Sequence, residues 1–144
     1  MDLSNAFALS ASGLTAHRLR MDVIAANLAN ANSTTTPEGG PYRRRDVVLR
    51  AEPQSGFDDL LAATGARGMA VRVAEVVSDK RQPRMSYDPG HPHANADGYV
   101  AVPNIDVVTE MVDLMAATRA YEANVAALNA TKRVLETALE IGQG

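Results

Sequence analysis

The 144-residue sequence contains no cysteine. This absence excludes disulfides, thiolate metal sites and cysteine nucleophiles. The glycine-rich phosphate-binding patterns, the GxSxG nucleophile pattern and the HExxH zinc pattern are also missing. Because none of these catalytic or cofactor-binding motifs is present, we expect a non-enzymatic protein with no cofactor and no small-molecule substrate.

Long apolar runs are missing as well. No stretch approaches the roughly 20 apolar residues that a bilayer-spanning helix needs. At the N-terminus Asp2 stands where a secretory signal would have a basic residue, and the charged residues Arg18, Arg20 and Asp22 follow closely. The sequence therefore predicts a chain that does not span a membrane and carries no cleaved signal peptide.

The sequence has little concentrated positive charge. The formal net charge is −3, and the one dense basic run, Arg43 to Arg45, is followed at once by Asp46. With no aromatic platform beyond Tyr42, a nucleic-acid surface is poorly supported. We expect the three arginines to lie in a solvated loop or at a strand edge.

The three histidines are the remaining candidates for chemistry. His91 and His93 could offer two imidazoles to a metal, but no third ligand accompanies them at a suitable spacing. Asp88-Pro89-Gly90 before them and Asn95 to Gly98 after them favour successive turns without a metal. His17 falls on an apolar helix stripe, where a packed or hydrogen-bonded histidine is expected.

Proline is absent from both ends of the chain, because all seven prolines lie between positions 37 and 103. Since proline breaks helices, this distribution predicts three parts: a helix over 1–33, a small β-rich and loop middle over 34–103, and a helix over 104–144. Alternating residues predict strands at 69–77 and 46–50, and a loop at 51–68 with a short helix around 57–63. The predicted fold class is mainly α with a small β middle.

Both predicted helices carry an apolar stripe that advances by alternating steps of four and three residues. We predict that these stripes are the assembly interface of the protein. Its residues are Leu3, Phe7, Leu14, Met21, Ile24, Leu28, Val107, Met111, Leu114, Tyr121, Val125, Leu128, Leu135 and Leu139.

The last helix has a second stripe that includes Val108, Val112 and Met115. Two apolar stripes leave little of the circumference polar, so one partner helix would not cover them, and we expect several neighbours. Asn104 after Pro103 is the expected N-cap of this helix. Asparagines are poor in helix interiors, so the cluster at 27, 30 and 32 indicates a helix end first and interhelical hydrogen bonds second.

Three stretches resemble a known family. Residues 11–14 with 21–31 look like the N-terminal box shared by flagellar rod, hook and hook-associated axial proteins, and residues 119–125 through 139 resemble the C-terminal helix of that family. Residues 87–92, followed by 98–100 and 103–104, are similar to a segment that marks the proximal-rod members. The Thr-rich stretch 33–40 lacks the Gly-Tyr turn common in longer members.

This resemblance implies a structural rod subunit that transmits torque from motor to hook. It implies export by the flagellar type III apparatus, a periplasmic site, and contacts with other copies, with other rod proteins and with the adaptor near the MS ring. The two long helices are expected to pair as an antiparallel coiled coil and to have mobile termini in the isolated subunit. The alternative is a soluble coiled-coil adaptor or chaperone-like module in a closed oligomer.

Overall fold

The computed structural model describes residues 3–53 and 69–142. Helix α1 spans Leu3–Ala29 and helix α2 spans Val107–Gly142. Between them lie strands β1 (Arg45–Pro53), β2 (Met69–Ser78), β3 (Arg84–Tyr87) and β4 (Tyr99–Val102). About half of the described residues are helical and the strands form two small antiparallel sheets, so the prediction of two terminal helices with a small β middle is confirmed. The side chain of Leu3 and the short helix expected at 57–63 lie outside the described residues.

Helices α1 and α2 pack side by side. The side chain of Asn27 meets Glu110, and the hydroxyl of Thr118 lies 3.6 Å from Sδ of Met21. Gly13, still earlier in α1, lies next to Asn124, still later in α2. Because the residue numbers rise in one helix as they fall in the other, the two helices run in opposite directions along their contact.

The sheet of β1 and β2 lies against α1. Its antiparallel register pairs Arg45 with Ser78 and Pro53 with Met69, and it is interrupted by a bulge after Val48. The backbone N–H of Val71 donates to Oγ of Ser12, 3.0 Å away. A side chain of α1 therefore covers part of the edge of β2, which would otherwise be open to pairing with another strand.

Strands β3 and β4 pair Arg84 with Val102 and Tyr87 with Tyr99. The two tyrosine rings meet edge to face with their centroids 5.2 Å apart. Between the strands, residues 88–98 form the turns expected from the sequence, and Gly98 has the left-handed φ of +79° that glycine tolerates best.

Two helix boundaries differ from the sequence-based expectation. Asn104 is not the N-cap of the last helix, because the helix begins only at Val107. The buried Ile105 lies between Asn104 and the cap residue. Asp106 is the cap: its carboxylate accepts hydrogen bonds from the N–H of Val108 at 3.0 Å and the hydroxyl of Thr109 at 2.9 Å. These bonds lower the pKa of Asp106 and keep the carboxylate charged at the positive end of the helix dipole. At the other end of the chain, α1 stops at Ala29, a few residues before the predicted end at 33.

The close approach of α1 to α2 at Gly13 gives a first prediction. A Cβ atom built on Gly13 would lie 2.9 Å from Nδ2 of Asn124 and 3.2 Å from its Cγ. We expect Gly13→Leu to lower the free energy of unfolding by about 1–3 kcal/mol, because it overpacks the contact although leucine favours the helix more than glycine does. Urea unfolding of the purified subunit measures this change.

Gly142 provides the matched control, since a Cβ there would meet nothing within 4 Å. Gly142→Leu is expected to leave the urea midpoint unchanged or slightly raised. Equal midpoints for the two leucine variants would show that the helices do not approach closely at Gly13.

Candidate assembly surface and the polar cluster beside it

The outer side of α2, facing away from α1, is apolar and open. At its start Val108, Met111, Val112 and Met115 are 70%, 55%, 60% and 57% exposed. They lie at helical spacing, so they form one continuous patch, which we call the α2 patch. Contiguous exposed apolar residues of this kind mark interaction surfaces in proteins.

The far end of α2 is open too. All residues from 132 to 142 are exposed, among them Val134, Leu139 and Ile141. Because Gly13 lies beside Asn124 and the helices run in opposite directions, residue 134 lies level with Leu3. The last turns of α2 therefore extend beyond the level of Leu3, the first described residue, as a helical extension with apolar side chains.

The fourteen residues predicted as an interface divide between the contact of α1 with α2 and the open surface. In α1, Ile24 is buried, Leu14, Met21 and Leu28 are half-buried, and Phe7 is exposed. In α2, the half-buried residues are Leu114, Tyr121, Val125 and Leu128, and the exposed residues are Val107, Met111, Leu135 and Leu139.

The buried side of α2 is turned slightly away from the predicted stripe. Its two buried residues are Glu110 and Ala117, and Asn124 continues the same side toward Gly13. Val107 therefore lies at the margin of the contact with α1, next to Met111 of the α2 patch. Part of the predicted stripe thus packs within the subunit and part remains available for another molecule.

A buried polar cluster ties the two helices together where α1 ends and α2 begins. Asn27 is 0% exposed. Its Nδ2 donates to the carbonyl oxygen of Arg45 at 2.8 Å and to the carboxylate of Glu110 at 2.9 Å. Its Oδ1 accepts from the N–H of Arg45 at 2.9 Å and from the hydroxyl of Tyr42 at 3.2 Å. A side-chain amide has two donors and two acceptor sites, so the hydrogen-bonding capacity of Asn27 is filled.

Glu110 supplies the carboxylate of the cluster and is 1% exposed. One carboxylate oxygen accepts from Asn27 and the other from Nε of Arg44. The remaining nitrogens of Arg44 lie 3.4 Å from Asp46 and 3.7 Å from Asp113. A buried carboxylate is tolerated only when it is paired and hydrogen-bonded in this way.

The pKa values of the two titratable partners shift to favour the cluster. Burial of Arg44 would lower its pKa, but the hydrogen bonds and charges of Glu110 and then of Asp46 together outweigh burial and the pKa is raised. Burial raises the pKa of Tyr42. The charge of Arg45 lowers this pKa, the charge of Glu110 raises it, and the net shift is upward. The guanidinium thus stays charged and the phenol stays a donor to Asn27.

Two expectations about these residues need correction. The arginine run lies at the start of β1 with Arg43 and Arg45 exposed, as expected, but the side chain of Arg44 is only 22% exposed and packs against Glu110. For Asn27 the sequence favours a helix end over an interhelical hydrogen bond. The residue instead lies inside α1 and bonds to α2. Asn30 does mark the helix end, where its Nδ2 donates to the carbonyl of Ala26 at 2.9 Å. The sequence signal for the cluster is limited to the presence of a polar residue, Asn27 or Glu110, within each apolar helix, and it does not indicate that the two side chains meet.

The histidines hold no metal ligand set within the described residues, where no group of three candidate ligands occurs. Nδ1 of His91 accepts from the N–H of His93, and Nδ1 of His93 lies 3.0 Å from the hydroxyl of Thr34. His17 lies within α1, and its Nδ1 is buried and has no hydrogen-bond partner among the described residues. Burial first, and then the charge of Arg20, lower the pKa of His17 and favour the neutral imidazole.

Comparison with known proteins identifies similar chains. Residues 8–37 match the model of the family described as flagella basal body rod protein, and residues 96–141 match the one described as flagellar basal body rod FlgEFG protein C-terminal. Over 143 residues the chain is 47% identical to the flagellar basal-body rod protein FlgC of Bacillus subtilis, with 94% of this chain and 95% of the relative covered.

Two further relatives carry the same name. Identity to FlgC of Escherichia coli O6:H1 is 45% over 143 residues, covering 99% of this chain and all of the relative. Identity to FlgC of Borreliella burgdorferi is 40% over 154 residues, covering both chains completely. Both helices and the sheets between them thus fall within the matched length.

Proposed function

This chain belongs to the FlgC family of flagellar basal-body rod proteins, and from that membership we propose that it builds the rod through the two terminal helices. It is a structural subunit of the flagellar basal-body rod and not an enzyme, since its relatives are structural rod proteins. It assembles with other copies and with other rod proteins. The closed-oligomer adaptor is not favoured, because the relatives are rod proteins along nearly their whole length.

The observation that carries the proposal is the open apolar surface of α2. A subunit that worked alone would leave the α2 patch and the extension at 132–142 in water. Burial contributes about 1.5–3 kcal/mol for each valine, leucine or methionine side chain. We propose that neighbouring subunits cover these side chains by contacts that do not close into a ring, because such contacts produce an open polymer.

The finer arrangement within the subunit is also part of the proposal. The three parts 1–33, 34–103 and 104–144 act as helix, small β-rich middle and helix, and the helices interlock as an antiparallel coiled coil. The half-buried residues on both helices support this arrangement, since Leu14, Met21 and Leu28 recur every seven residues, as do Leu114, Tyr121 and Leu128.

The location and the remaining partners belong to the proposal as well. We place the rod subunit in the periplasm, delivered by the flagellar export apparatus without a cleaved signal and in contact with the adaptor near the MS ring. Among the described residues no helix has both the length and the apolarity to cross a membrane.

Hydrogen exchange tests the proposal. In the dilute isolated subunit, the amides of residues 132–142 are expected to exchange quickly, because these residues are all exposed and those after 134 lie beyond Leu3, the first described residue of α1. In isolated basal bodies the same amides are expected to be protected by surrounding subunits. The amides of residues 21–27 serve as the internal control, since they pack within the subunit in both states. Strong protection of 132–142 in the dilute subunit, unchanged on assembly, would contradict assembly through this end of α2.

A further inference from the structure

We propose that the buried cluster of Asn27, Glu110 and Arg44 selects one register of α1 against α2 from several that the apolar side chains alone would accept. Register here means which residue of α1 lies beside which residue of α2. This pairing lies inside one subunit and is independent of how subunits polymerise.

The apolar contact is permissive because it repeats. Bulky apolar residues stand seven positions apart on α1, at Leu14, Met21 and Leu28. They also stand seven apart on α2, at Leu114, Tyr121 and Leu128. A slide of seven residues moves a bulky side chain into the position of another, so burial changes little and does not by itself define the register.

The polar cluster does not repeat. After a slide of seven residues in one direction, Asn27 would face Ala117 in place of Glu110, and Glu110 would pass beyond the end of α1. In the other direction Glu110 would meet Arg20, but Asn27 would pass the start of α2 and lose the carboxylate. Only the observed register brings the amide and the carboxylate together.

The middle of the chain reinforces this choice. Arg45 holds Asn27 by both its N–H and its carbonyl oxygen, and Arg44, the residue before it, holds Glu110. One short backbone segment thus binds both helices at once. In a shifted register these bonds are lost, and Asn27 is either buried against Ala117 without the carboxylate or moved past the start of α2. We expect each shifted register to be disfavoured by at least about tenfold.

The absence of cysteine makes the register directly measurable. Met21→Cys with Thr118→Cys reports the observed register, since Sδ of Met21 lies 3.6 Å from Oγ1 of Thr118. Met21→Cys with Val125→Cys reports a slide of seven residues in one direction, and Met21→Cys with Met111→Cys reports the other. In the purified full-length subunit we expect mild oxidation to link the first pair at least about tenfold more than either shifted pair.

The test adds Asn27→Leu with Glu110→Leu to each cysteine pair. This change replaces the cluster by apolar side chains, which keep the helices in contact but remove the selection. The ratio of native to shifted cross-link is expected to fall at least about fivefold. The near-isosteric Glu110→Gln keeps one oxygen that can accept from Asn27 but places its NH2 group against the Nε–H of Arg44, so its ratio is expected to lie between those of the unmodified chain and the double leucine variant.

Two results would overturn the proposal. An unchanged ratio in the double leucine variant would show that the register is set elsewhere. Loss of both native and shifted cross-links in that variant would show that the cluster is required for pairing rather than for selection. Cross-linking of the isolated subunit is independent of rod assembly, so neither result bears on the proposed function.

Discussion

Val112→Asp is expected to abolish rod assembly and swimming while the subunit remains folded. Val112 is 60% exposed on the open side of α2, so the isolated subunit loses little packing, and valine and aspartate have similar helix propensities. The free energy of unfolding should change by less than about 0.5 kcal/mol. In the assembled rod, the same aspartate would be a charge without a partner beneath a neighbouring subunit, which costs several kcal/mol at every copy.

Val112→Thr is the matched control for this prediction. Threonine keeps the branched shape and similar helix propensity but carries no charge, so swimming should be reduced at most slightly. Swimming is scored on soft agar, and the thermal unfolding of the purified variants shows whether each is folded. A stable Val112→Asp subunit that supports normal swimming would remove the α2 patch from the assembly surface.

The two helices could be predicted because their signals are local and repeated. The apolar alternation of α2 runs from Val107 to Leu139, so a local irregularity at Thr118 or Lys132 does not hide the period. The strand at Met69–Ser78 was predictable for the same reason, since apolar residues alternate along it and the stretch is bounded by glycine on one side and proline on the other. The family resemblance rested on these same segments and added the function.

The partners of Asn27 could not be predicted, because they are brought together by the path of the chain. Glu110 lies 83 positions away in sequence, and Arg45 arrives only after the turn that follows α1. An asparagine near a helix end has a simple local explanation as a terminal residue, and that explanation holds for Asn30 but not for Asn27. Local patterns carry no information about which buried amide finds a carboxylate on another helix.

The same limit applies to the open surface of α2. Val112 and Leu114 are equally apolar in sequence, yet Leu114 is half-buried and Val112 is open. The difference arises from the rotation of α2 about its own axis, which places Glu110 and Ala117 toward the interior. That rotation is fixed by the contact with α1 and the polar cluster, and the stripe alone leaves it undetermined.

Asn27→Ala is expected to be among the most destabilising single substitutions in the subunit. Alanine removes all four hydrogen bonds of the amide and leaves the N–H and carbonyl of Arg45 and the hydroxyl of Tyr42 with a lost partner. Glu110 keeps Arg44 but loses one of its two hydrogen-bond donors. We expect a loss of about 3–5 kcal/mol in the free energy of unfolding, a large fraction of the total for a domain of this size.

Asn30→Ala gives the matched comparison, because it is the same substitution one helical turn later. The amide of Asn30 is not buried beneath α2, and it bonds only to the carbonyl of Ala26 and the hydroxyl of Ser33. Its loss should cost less than about 1 kcal/mol, since water can replace those bonds. Urea unfolding of both variants separates the cases, and an Asn27→Ala midpoint as high as that of Asn30→Ala would mean that the buried hydrogen bonds of Asn27 contribute little to stability. A large loss confined to Asn27 would instead show that the polar cluster stabilises the subunit in addition to the apolar contact between the helices, while the outer apolar surface of α2 stays available for assembly.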